Sequence, residues 1–136
     1  MTPTRIRQLS IAMMWLLGLM NLGFLAWVIV SPIPIAEYVG LSAAQPRAGA
    51  ELRAMYGGLI GGLGVLNIIG ACVPTRLAPA LWCTAWTFAG VGSVRSVSCI
   101  YLGIGGSQAV FAASELLASV TSFILLRALE RAHVKS

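Results

Sequence analysis

The stretch Glu51–Gly64, ELRAMYGGLIGGLG, puts an acid, a base and a phenol at the mouth of a glycine-rich apolar helix. Gly57, Gly61 and Gly64 fall on the Arg53 side of that helix, and Gly58 and Gly62 on the Glu51 side. Glycines four residues apart let helix backbones approach closely in lipid. The helix therefore reads as packed on both sides, in the middle of a membrane bundle. The same spacing makes Gly57, Gly58, Gly61 and Gly62 candidates for contact with a second copy of the chain.

The rest of the chain supports a membrane setting. Of 136 residues 58% are hydrophobic and 10% charged, against about 25% charged in soluble domains. Apolar runs of roughly 20 residues are long enough to cross the hydrocarbon core as helices. Such runs lie at 9–30, 51–72, 80–102 and 108–126, which predicts an all-α, four-span antiparallel bundle in one domain. The first run exceeds a signal-peptide core and ends in Ser31-Pro32-Ile33-Pro34, so it reads as a retained helix with Met14, Gly18, Asn21 and Leu25 turned inward. Ser31–Ala50 reads as a connection lying partly on the membrane surface. Trp82 and Trp86, opposite Arg95 on the third helix, read as a lipid-facing aromatic belt.

The net charge of +5 comes mostly from the two tails and one short loop. It is a topology signal and not a nucleic-acid footprint. Arg5, Arg7, Arg76, Arg127, Arg131 and Lys135 fall on one side, Arg47 and Arg53 on the other, so the positive-inside rule puts both termini in the cytoplasm. Cys72, Cys83 and Cys99 match no metal or redox spacing, and the one histidine, His133, lies in the basic tail. No metal or cofactor is expected.

That topology gathers polar groups at one depth. Glu51, Arg53 and Tyr56 lie at the outer end of the second span. Arg95 lies about two turns below the outer end of the third span, and Glu115 about two turns into the fourth. A bare charge at mid-helix costs about 2.5–3.5 kcal/mol, so these groups should face inward and pair. Arg95 with Glu115 is the favoured pair, because Arg meets a carboxylate through two parallel hydrogen bonds. Ser98 beside Arg95, and Tyr56 beside Arg53, are candidate hydrogen-bond partners. Gln108, Ala112, Glu115, Ser119 and Ser122 form a narrow polar and small stripe on the last helix. Each group also has a plainer reading. Arg95–Glu115 can be a structural pair that fixes register, Glu51 a complement to the helix dipole, Arg53 a snorkelling base and Tyr56 an interfacial aromatic.

The block Glu51-Leu52-Arg53-Ala54-Met55-Tyr56-Gly57-Gly58, with Gly62-Leu63-Gly64, Arg95-Ser96-Val97-Ser98 and the isolated Glu115, resembles the signature of a bacterial four-helix membrane family. That family is a domain of unknown function similar to DoxX-like proteins. The resemblance implies an inner-membrane location and a four-helix bundle, with no assigned reaction. Family members often carry Asp-Gly shortly after the third-span Arg, where this chain has Tyr101-Leu102-Gly103. A role needing that Asp is therefore not expected here.

Three functions compete. The first is a non-enzymatic protein whose outer-leaflet pocket binds a lipid-like or small anionic ligand, or docks a partner protein. The second is an intramembrane enzyme on a lipid or quinone-like substrate, with Glu115 moving the proton and Tyr56 or Arg95 as electrophile. The third is a small multidrug-type transporter, which needs an acid where the first span has only Asn21.

Overall fold

The computed structural model describes residues 2–38, 49, 50 and 52–133. All regular elements among them are helical. Helix α1 is Pro3–Val30 and α2 is Pro32–Tyr38. A π-helical run, Arg53–Leu59, continues directly into α3, Ile60–Cys72. A 3-10 turn, Pro74–Arg76, leads into α4, Leu77–Leu102, and the last helix, α5, is Ser107–His133. Four helical segments are long and apolar enough to cross a membrane.

Several helices outrun their apolar runs. Helix α1 starts at Pro3 instead of Leu9, since Pro at the first helical position loses no hydrogen bond and its φ is already set. Helix α4 starts at Leu77 instead of Ala80, because Pro79 sits in the first turn, where it is tolerated. Helix α5 continues past Leu126 through Arg127 to His133, as Arg, Ala, Leu and Glu are all strong helix formers. Within Ser31–Ala50, read as a loop, Pro32–Tyr38 is helical, with both prolines confined to its first turn. Between α4 and α5, Gly103 takes a left-handed φ of 64°. The amides of Gly103 and Ile104 bond back to Ile100 and Cys99, which closes the last turn of α4 tightly.

The chain builds two antiparallel hairpins, α1 with the second span and α4 with α5. Contact within each hairpin is more extensive than contact between them. In lipid, helix association depends on close packing more than on apolar burial, and glycines provide it here. A Cβ on Gly61 would lie 2.5 Å from Leu25 Cδ2, and one on Gly64 3.0 Å from Asn21 Cβ. Gly57 packs on Leu25 and Val28 of α1. Gly62 would meet nothing, and Gly58 only its own helix. The second span thus packs on α1 through Gly57, Gly61 and Gly64 and on α4 through Gly70 and Asn67. Its Gly58 and Gly62 face is open, which corrects the expectation that this second glycine pair is also packed. Gly57 and Gly61 are used within the chain, so only Gly58 and Gly62 are left to meet another copy.

The two ends of the bundle differ. Near the termini, Ile6 and Met14 of α1, Leu77 and Leu81 of α4, and Leu125 and Leu129 of α5 form one buried cluster. Above it, Thr84 Oγ1 donates to Asn67 Oδ1 at 2.6 Å and Ser119 Oγ donates to the Ala85 carbonyl at 2.8 Å. At the far end α4 buries nothing beyond Gly92, and α5 nothing before Ala112. A small second cluster there, Val28, Ala36 and Leu52, folds α2 back onto α1 and the second span. Trp82 and Trp86 are each 54% exposed; their rings are tilted 59° to one another, and Trp86 packs edge to face on Phe123.

Candidate functional site

At the splayed end α4 and α5 hold Arg95 and Glu115 face to face. Arg95 Nε donates to Glu115 Oε2 and Nη2 to Oε1, both at 2.9 Å. Arg95 Nη1 donates to Gln108 Oε1 at 2.7 Å, and its guanidinium carbon stands 5.6 Å from the Phe111 ring centre, in cation–π range. The side chains are 20% and 13% exposed. Gly92, one turn below Arg95, lets α5 come close, since a Cβ there would stand 3.0 Å from Leu116 Cγ and 3.2 Å from Glu115 Cβ. That approach brings the carboxylate within two-bond reach of the guanidinium.

The pair expected from equal depth therefore forms. Tyr56, within the π run, reaches the same cavities as Arg95 and Glu115 while its ring packs near Val28, Ala36 and Leu52. Among the described residues no hydrogen bond joins it to Arg53. Ser98 does not bond Arg95: its hydroxyl donates to the Val94 carbonyl one turn back at 2.8 Å. A serine in an apolar helix always has that carbonyl within reach. Arg53 is exposed at the mouth, apart from the pair. Glu51 lies outside the described residues. Gln108, Phe111 and Gly92 join the site beyond the six candidates, and each could have been found as a residue on the helix face that carries Glu115 or Arg95.

Space surrounds the pair. A groove of about 1130 Å³ runs along α4 from Trp86 to Cys99, with Glu37 and Tyr56 on one side and Ser107 and Gln108 on the other. Two smaller cavities reach the pair from opposite sides. One of about 220 Å³ lies between the second span and α4, and one of about 260 Å³ between α1 and α5.

The chemistry follows from the pairing. Arg95 and Glu115 cancel, which leaves Glu37 on the groove's edge as its one formal charge among the described residues. Each carboxylate oxygen accepts one bond from Arg95, and Arg95 uses three of its five N–H groups. The amide nitrogens of Asn21 and Asn67 are also buried without a hydrogen-bond partner among the described residues. Of these two amides only that of Asn21 borders the site, because Asn67 lies apart beside Thr84. No group of three or more His, Cys, Asp or Glu able to hold a metal occurs among the described residues. Compared with protein-family models, curated proteins and solved structures, the chain matches none of them.

Proposed function

We propose that this is a non-enzymatic membrane protein that takes a lipid-like, amphipathic molecule from the bilayer into the groove along α4. One observation carries the reading: a groove of about 1130 Å³, walled mostly by apolar surface, runs past the half-buried Arg95, whose charge Glu115 cancels. An apolar body would lie against Val91 and Val94, with the polar end toward Arg95 and Gln108. Arg53, exposed at the mouth, adds a positive charge opposite in sign to Glu37 on the groove's edge. Because Arg95 is committed to Glu115, the reading favours a lipid-like molecule over a small anion. A proton-transfer role for Glu115 requires it first to leave Arg95. A transport path would have to cross the packed cluster around Met14 and Leu81.

In this reading the groove belongs to the outer leaflet half of a bacterial inner membrane, with both termini cytoplasmic. The basic residues around the termini support the orientation. Contact between copies would run through Gly58 and Gly62.

The test is lipid photolabelling. Protein reconstituted with a diazirine-bearing phospholipid should be labelled preferentially at Val91, Val94 and Tyr56, with lipid retained through purification and identified by mass spectrometry. Even labelling of these positions and of Leu19 on the outer face of α1 would remove the groove from consideration.

A further inference from the structure

The cavity of about 260 Å³ between α1 and α5 holds the one polar side chain of α1's apolar core that faces the pair. Asn21 is 8% exposed and its amide nitrogen has no hydrogen-bond partner among the described residues. A stranded amide donor costs stability that a leucine of nearly the same shape would not. Around the same space stand Phe24, Tyr56, Phe88 and Phe111, with Arg95 and Glu115 at its inner end. Rings on several sides suit a slender or flat apolar body. The cancelled charges make a carboxylate or an ammonium ion unwelcome, since either would be left unbalanced at low dielectric. The unpartnered Asn21 amide asks for an acceptor oxygen.

We infer that this cavity takes the carbonyl end of an uncharged, single-chain amphiphile, with the Asn21 amide donating to the carbonyl oxygen. The inference rests on the proposed function and names the class of molecule. An acylglycerol of the bilayer and a free long-chain ketone share this chemistry.

Binding of four radiolabelled probes to the purified protein in detergent micelles tests it: monooleoylglycerol, its ether analogue without the carbonyl, oleate, and a long-chain methyl ketone. The ester should bind roughly tenfold more tightly than the ether, the worth of one hydrogen bond to a buried donor. Asn21→Leu should erase that ratio while the ligand-free melting temperature holds or rises. A ketone tighter than the ester would name a free ketone as the source, and the reverse a membrane acylglycerol. Equal binding of ester and ether, an unchanged ratio in Asn21→Leu, or oleate as the tightest ligand would each overturn the inference while leaving the groove reading intact. Binding of none of the probes would overturn both. Should Asn21→Leu fail to assemble, the unmodified protein answers by infrared spectroscopy with a ¹³C-labelled ester carbonyl. A band shifted to lower frequency on binding is expected, and an unshifted band overturns the assignment.

Discussion

Breaking the Arg95–Glu115 pair separates its contributions. Glu115→Ala removes the acceptor of two charge-assisted bonds of 2.9 Å and strands a guanidinium that is 20% exposed. Loss of one partner of a buried pair costs about 3–5 kcal/mol, and the residual exposure argues for the lower end, about 3 kcal/mol. Arg95→Ala should cost more. It also loses the 2.7 Å bond to Gln108 and the stack on Phe111, which adds about 1–2 kcal/mol. The double alanine variant strands neither charge, so it should fall short of the sum by about 2–3 kcal/mol. Unfolding in SDS titrations of reconstituted protein measures all three. The exchange Arg95→Glu with Glu115→Arg should recover most of the loss, since the Gln108 amide can present its N–H in place of its oxygen. Losses that add strictly, with no recovery on exchange, would mean that the two side chains do not stabilise one another.

The glycine faces should separate. Gly61→Ala drives a methyl into Leu25 and should cost about 1–3 kcal/mol, whereas Gly62→Ala meets nothing and should be neutral, or stabilising by up to about 1 kcal/mol; the same titration decides, and equal losses would refute the assigned packing face. Thr84→Val leaves the Asn67 amide wholly unpaired and should cost about 1–3 kcal/mol, while adding Asn67→Leu should restore most of it; a double variant no better than the single would remove the bond from the reckoning. Reporter fusions after Ser136 and at Gly49 should report opposite sides of the membrane, the C-terminal one cytoplasmic; an external C-terminus would move the groove to the inner leaflet half.

How much of this was legible depends on what lipid forces on a sequence. A charge in an apolar run must find its opposite, so Arg95 and Glu115, each about two turns from the Gly103–Ser107 loop, could be paired on depth alone. A hydroxyl is under no such compulsion. Ser98 satisfies itself on Val94, and spacing cannot separate that from a bond to its neighbour. Glycine spacing was equally mute about direction. Gly57 and Gly61 repeat at the same interval as Gly58 and Gly62, and only the side chains of α1 decide which pair is packed. Hydropathy marks where lipid ends and not where helices end, which is why α1 and α5 run on past their apolar cores. Asn67 stood in its apolar run as visibly as Asn21 did in its own, and its bond to Thr84 was open to the same reasoning.

A structural pair and a ligand-binding pair, alternatives on the sequence, describe one arrangement here. The end near the termini is held by its apolar cluster and by the Asn67–Thr84 bond. At the far end α4 and α5 bury little beyond Gly92 and Ala112, and the bonds from Arg95 to Glu115 and Gln108 tie them together. If that end closed into an ordinary apolar core, the groove would be lost; if it were left untied, the hairpin would splay. A polar clasp on the groove wall meets both demands. In the proposed reading, a bound carbonyl would then give the Asn21 amide its missing acceptor and link the two hairpins through Asn21 and Arg95. Ligand should therefore stabilise the contact between hairpins more than the contact within either. Hydrogen exchange with and without monooleoylglycerol checks this: protection should rise around Asn21 and Arg95, with little change at Leu81 and Leu125, and a uniform rise would contradict it.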